Sequence, residues 1–146
     1  MEMHETEDQQ NEGPGIAIYS RWAIAGFSIF FSPLIGGILL MLNLRSVGLK
    51  KEGTGILLLT IAYQIIAGVV LGSFVKVPHI QAINDLAANR QFLIYSKISD
   101  IIGAGILAEY FFKRYFPGDN YERKGVLRPL FTVILILISL SILSGL

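Results

Sequence analysis

The sequence has no cysteine, and its 146 residues include only two histidines. Without cysteine, disulfide bonds, thiolate metal sites and cysteine nucleophiles are excluded. His4 and His79 lie far apart in the chain and make no metal-ligand cluster. The sequence also contains no phosphate-binding glycine loop and no nucleophile elbow. We therefore expect no bound metal, no organic cofactor and no enzymatic activity.

Charged residues are also scarce. They make up 16% of the chain, whereas soluble domains have about 25%. The formal net charge is +1, which gives no electrostatic basis for binding nucleic acid. The charges are confined to short stretches between long apolar runs. This segregation indicates an integral membrane protein whose first partner is the lipid bilayer.

Four apolar segments approach or exceed the roughly 20 residues that a helix needs to cross a bilayer. We predict an all-α fold, an integral membrane four-helix bundle. Its last helix has a continuous run of branched apolar residues, so we expect that helix to face lipid more than the others do. The predicted spans are 22–42, 54–75, 92–112 and 127–146.

The residues before the first span predict two regions. Residues 1–15 are acidic and end in Gly13-Pro14-Gly15, which breaks a helix, so we expect a disordered acidic tail. Residues 16–146 then form the transmembrane helical domain.

The first span contains both a helix breaker and a stripe of small residues. Pro33 lies in mid-segment and predicts a kink, because it leaves the carbonyl one turn earlier without a donor. Ser28, Ser32 and Gly36 recur every four residues and form a stripe on one face. Small residues on a stripe let another helix approach closely.

Basic residues are concentrated in the first and third loops of this arrangement. The positive-inside rule therefore places loops 43–53 and 113–126 in the cytoplasm and both termini outside it, in a multi-pass protein of a cell (inner) membrane. The basic residues on the cytoplasmic side are Arg45, Lys50, Lys51, Lys113, Arg114, Arg123, Lys124 and Arg128, and those on the other side are Arg21, Lys76 and Arg90.

The third span differs from the others because it carries ionisable residues well inside it. Lys97 is about 7 Å from the start of the span and can extend its side chain to the outer interface. Glu109 lies near the inner end, four residues before Lys113, and this spacing favours an ion pair. Asp100 is about 12 Å deep and too short to reach either interface.

Three arrangements would lower the cost of burying Asp100. It can pair with Lys97 on the same helical face, it can be protonated, or it can face a polar cavity. Gln64 and Ser32 are expected at a similar depth in the neighbouring spans. We predict an intramembrane polar site of Asp100, Gln64, Lys97 and Ser32, which either fixes the helix register or serves a function.

The inner end of the first span also resembles a known pattern. Phe31, Pro33, the pair Gly36-Gly37, Asn43 and Gly48 give F-x-P-x-x-G-G followed by N-x-x-x-x-G. The pattern is similar to one in small, uncharacterised four-span bacterial membrane proteins. That resemblance implies a four-span fold and brings no assigned activity with it.

We expect a non-enzymatic membrane protein that acts as a subunit, an assembly factor or an interaction partner. It would form a homo-oligomer or bind another membrane protein through its small-residue stripes. The alternative is a small oligomeric transporter or channel, in which Asp100 would be the proton or cation site. Four-helix multidrug exporters are similar in size, but they carry an essential Glu in their first helix, where this chain has no acidic residue.

Overall fold

The computed structural model describes residues 16–74, 86–118 and 121–143, without the side chains of residues 86–89. The predicted acidic tail at 1–15 lies outside these residues. The described chain is mostly helical, which confirms the predicted all-α class at that level. Its helices are α1 (Arg21–Phe30), α2 (Pro33–Ser46), α3 (Lys50–Phe74), α4 (Leu86–Gly105), α5 (Lys113–Tyr115) and α6 (Leu127–Leu143), and a π-helical segment (Ile106–Phe112) joins α4 to α5.

The single span predicted at 22–42 is wrong, because this segment folds as two helices, α1 and α2. The Ser20 hydroxyl caps α1 by accepting from the Ala23 N–H at 3.2 Å. The helix ends at Phe30, Ser32 is fully extended (φ −175°, ψ 158°), and Pro33 begins α2. Proline suits this first turn because the N–H that it lacks would have no partner there.

The two helices form an antiparallel hairpin. The Asn43 side chain accepts from the Tyr19 backbone N–H at 2.7 Å and donates to the Tyr19 carbonyl at 2.8 Å. In one continuous helix these two residues would be about 36 Å apart. Midway along the hairpin, Gly36 packs so closely on Ser28 that an added Cβ would lie 1.8 Å from the Ser28 Oγ. The predicted stripe of small residues thus packs within its own segment.

Helix α3 returns antiparallel to α2 after a tight turn at Gly48, which has a φ of +87°. Gly37 contacts Thr60 near the middle of this pair, and Gly53 contacts Met41 near its end. The third predicted span, 92–112, corresponds to a continuous helical stretch through α4, the π-helical segment and α5. The π-helical turns in its second half were not expected from the sequence.

The N-terminal segment lies beside the third loop. Strand β1 (Ala17–Ile18) pairs in parallel with strand β2 (Glu122–Arg123). The positive-inside rule predicted these two segments on opposite faces of the bundle. That relative placement is wrong because the hairpin returns the chain to the end at which it entered.

Many large apolar side chains are exposed, and few are fully buried. The core is formed by Ile24, Leu40, Leu44, Ile56 and Leu107, among others. Within the described part of α6, only Val133 is buried, so most of this helix is exposed, and its contact with lipid stays a prediction. The large exposed side chains on α3 include Leu58, Leu59, Ile65, Ile66, Val69 and Val70.

Of the described helical stretches, Lys50–Phe74 and Arg90–Tyr115 are long and apolar enough to cross a membrane. Pro33–Ser46 and Leu127–Leu143 are apolar but shorter. The predicted four-span bundle is therefore confirmed only as a helical fold with two helices long and apolar enough to cross a membrane.

Candidate functional site

The break between α1 and α2 leaves the last carbonyls of α1 without their helical donors, and the Ile29 carbonyl is one of them. In a continuous helix the Ile29 carbonyl would accept from the residue four positions later, which is Pro33 and has no N–H. The N–H groups of Phe31 and Ser32 both turn to the Phe27 carbonyl, at 3.1 and 3.3 Å. The Ile29 carbonyl is instead bound by the Lys97 Nζ of α4, which donates to it at 3.2 Å.

The same lysine neutralises Asp100. The Lys97 Nζ lies 3.0 Å from the Asp100 Oδ2, and the Asp100 side chain is 12% exposed. The pairing follows from their spacing, since residues three apart on a helix share a face. We call Lys97, Asp100 and the Ile29 carbonyl the polar clamp. Lys97 was also expected to extend to the outer interface, but its ammonium group points into this clamp.

The other two predicted members of the site are not part of the clamp. No hydrogen bond joins Asp100 to Gln64 or to Ser32 in the part of the chain that the structure describes. Gln64 is half-buried on α3, and the Ser32 side chain makes no capping bond to α2. The structure thus brings together Lys97 and Asp100, but it leaves Gln64 and Ser32 outside.

Tyr63 is a neighbour that the sequence analysis did not identify. Its hydroxyl donates to the Ser99 carbonyl at 2.7 Å and lies 3.1 Å from the Ser99 Oγ. Ser99 directly precedes Asp100, so this contact fixes α3 against α4 at the level of the clamp. Gly103, one turn further, packs on Pro33, and an added Cβ would lie 2.6 Å from the Pro33 Cγ. The available signal was a tyrosine next to Gln64 in an otherwise aliphatic stretch.

A second ionic group lies at the other end of the same helix. Glu109 pairs with Lys113, which confirms the predicted pair, and also with Arg21, whose Nη1 lies 3.3 Å from the Glu109 Oε1. Arg21 was predicted on the opposite face of the bundle, and this contact contradicts that prediction. The Arg21 guanidinium also lies over the Trp22 ring, 5.0 Å from its centre.

A small cavity lies beside Pro33, and none of the clamp residues lines it. The cavity beside Pro33, Tyr63 and Gly103 has a volume of about 20 Å³ and an almost entirely apolar lining, which is room for about one water molecule. Among the described residues, no group of three His, Cys, Asp or Glu side chains can hold a metal ion. The charges of Lys97 and Asp100 cancel each other, and Lys97 also donates to the Ile29 carbonyl.

Comparisons with protein-family models, with curated proteins and with solved structures find no match for this chain. The resemblance of the first predicted span to small bacterial membrane proteins therefore stays a prediction.

Proposed function

We propose that this chain is a non-enzymatic integral membrane protein that acts as a subunit, an assembly factor or an interaction partner in a cell membrane. The observation that carries the proposal is the polar clamp. Its two charges neutralise each other, and the lysine also satisfies the Ile29 carbonyl. A site whose polar groups bind one another at this depth serves first to fix the hairpin on α4.

In the proposed membrane arrangement α3, the helix at Arg90–Tyr115 and α6 cross the bilayer, and the α1–α2 hairpin enters and leaves at one face. Helix α1 has 10 residues, so it is about 15 Å long and reaches about halfway into a hydrocarbon core of about 30 Å. A helix can end inside the membrane when its end is buried against other helices rather than exposed to lipid.

Charge supports an orientation for this arrangement. With the hairpin, Arg21 joins the first and third loops on the strongly basic face, and the opposite face keeps Lys76 and Arg90. The positive-inside rule then places residues 16–20 in the cytoplasm together with the two loops. The end of α6 at Leu143 lies on the other side.

The interaction role is supported by an α3 surface with no partner among the described residues. A Cβ added at Gly68 would meet nothing within 4 Å, and the neighbouring Ile65, Ile66 and Val69 are exposed. An exposed glycine on a membrane helix allows close approach by a second helix. This partner would be a second copy of the chain or another membrane protein.

Purification in a native lipid environment tests the proposal. A stoichiometric partner or a defined homo-oligomer is expected, and a lone monomer would contradict the subunit proposal. Gly68→Leu should abolish the association without unfolding the protein, because the new side chain enters open space. Gly55→Leu is the matched control, since Gly55 is also on α3 and also open.

A small transporter or channel is the second candidate, favoured by the broken helix at the clamp. Transporter sites are commonly built from discontinuous helices whose free backbone groups lie beside ionisable residues. Asp100 would be the proton or cation site, and the half-exposed side chain of Lys97 leaves the pair accessible. Proteoliposomes should then show an ion flux that Asp100→Asn abolishes while the fold is retained. No flux from the unaltered chain would exclude this candidate.

A further inference from the structure

A basic cleft lies where the start of α1, helix α5 and strand β2 meet. Its volume is about 470 Å³, within the roughly 300–1,000 Å³ of small-ligand sites. We propose that this cleft binds the phosphate of an anionic phospholipid headgroup. The lining residues are Ser20, Arg21, Trp22, Phe112, Lys113, Phe116, Pro117, Tyr121 and Arg123.

The cleft keeps an excess of positive charge after its internal ion pairs are made. Arg21 and Lys113 share the single carboxylate of Glu109. Arg123 forms no ion pair with any residue that the structure describes, and its side chain is exposed. Glu122, next to it on β2, does not line the cleft. Among the residues that the structure describes, one carboxylate against three cations leaves the site attractive to a phosphate, which guanidinium groups bind through paired hydrogen bonds.

The positive-inside rule explains why basic residues gather on one face, but it does not explain their meeting in one cleft. Arg21 begins α1, and Arg123 lies about a hundred residues later in the chain. The parallel pairing of β1 with β2 brings these two segments together. The hairpin makes this possible, because it keeps the start of α1 at the same end as the third loop.

The depth and the surroundings of the cleft favour a lipid over a free phosphate. Trp22 is 71% exposed and stacks with Arg21, as expected for an aromatic residue at the membrane interface. One to two turns further along α1, an apolar groove of about 460 Å³ is lined by Gly26, Phe27 and Phe30 and closed by Leu130 of α6, among others. A phosphate site beside an apolar groove on the same helix fits an amphipathic ligand, with the acyl chain in the groove.

Trp22 also provides the test, because it is the only tryptophan of the chain. The full chain is placed in nanodiscs that contain phosphatidylcholine and a small fraction of acyl-brominated phosphatidylglycerol, or the same fraction of brominated phosphatidylcholine. We expect brominated phosphatidylglycerol to quench Trp22 at a several-fold lower mole fraction. Equal quenching by both lipids would overturn the proposal.

Two substitutions make the test specific. Removing one cation from the cleft with Arg123→Gln should weaken the preference for the anionic lipid about fivefold, the factor that corresponds to about 1 kcal/mol per basic residue. Arg45→Gln removes the same charge from the same face but lies outside the cleft, so it should leave the preference unchanged. An equal loss in both variants would show general surface attraction and would contradict a defined site.

Inorganic phosphate distinguishes a site for a lipid headgroup from a site for free phosphate. Millimolar phosphate should not displace the brominated anionic lipid, because free phosphate has no acyl chain for the groove. If phosphate restores Trp22 fluorescence at a concentration at which an equal ionic strength of chloride does not, the cleft is a soluble-anion site and the lipid assignment is wrong.

Discussion

Replacing Lys97 by methionine tests whether the polar clamp stabilises the fold. The substitution removes the charge that neutralises Asp100 and the donor that satisfies the Ile29 carbonyl. Two unit charges 3.0 Å apart attract by about 5.5 kcal/mol at an effective dielectric constant of about 20, and by about 1.4 kcal/mol at about 80. Because half of the Lys97 side chain is exposed, we expect a coupling near the lower value, about 2 kcal/mol.

The three variants of a double-mutant cycle should therefore differ in a defined order. Lys97→Met should lower the free energy of unfolding by about 3 kcal/mol, since it leaves a buried carboxylate without a partner. Asp100→Asn should cost about 1 kcal/mol, because the amide oxygen still accepts from Lys97. The double variant should cost about 2 kcal/mol, which is less than Lys97→Met alone.

The measurement is unfolding in mixed detergent and SDS micelles, followed by circular dichroism. The diagnostic quantity is the coupling energy between the two sites, which no single variant reports. If the two single losses add to within about 0.5 kcal/mol, Lys97 and Asp100 do not act as a unit, and the reasoning about the clamp is refuted.

Two further predictions concern the hairpin and use the same unfolding assay. Gly36→Ala should lower the free energy of unfolding by about 2 kcal/mol or more, because its Cβ would overlap the Ser28 Oγ. The control is Gly26→Ala on α1, whose Cβ enters open space and which should be neutral or stabilising by up to about 1 kcal/mol. Equal effects of the two substitutions would contradict the close packing of Gly36 on Ser28. Asn43→Leu should lower the free energy of unfolding by about 2–3 kcal/mol, because it leaves the N–H and carbonyl of Tyr19 without partners. A loss below about 0.5 kcal/mol would show that these hydrogen bonds do not hold the hairpin closed.

The sequence predicted the helical class and the pairing of Glu109 with Lys113, because both follow from local spacing. Apolar runs of about 20 residues predict long helices, and charges four residues apart meet on one helical face. The exposed apolar surface of α6 was predictable for the same reason, from its uninterrupted branched residues.

The reversal of the first segment was not predictable from length and hydropathy. Residues 22–42 carry no charge, and a kink at Pro33 and a full reversal leave the same pattern in the sequence. What decides between them is the binding of Asn43 to the Tyr19 backbone, a contact between residues far apart in the chain. Periodicity within one helix carries no information about such a contact.

The membership of the polar site was equally hard to predict. Gln64 and Ser32 were chosen by depth, on the assumption that the first span is one continuous helix with a kink at Pro33. Depth does not say which way a side chain points. In addition, the hairpin changes the depth of every residue in the first segment. The carbonyl that Pro33 frees was expected, but its partner, Lys97 of α4, depends on how α4 packs against the break.

In the proposed arrangement the α1–α2 hairpin enters and leaves the membrane at the same face, and this can be tested directly. Because the protein has no cysteine, single cysteines at Ile16, Ser46, Gly118 and Arg90 can be labelled one at a time with an impermeant maleimide in sealed vesicles of known orientation. The first three, which are exposed, should react from the same side, and Arg90→Cys from the other. Labelling of Ile16→Cys from the side opposite to Ser46→Cys would contradict the hairpin and restore a first helix that crosses the membrane.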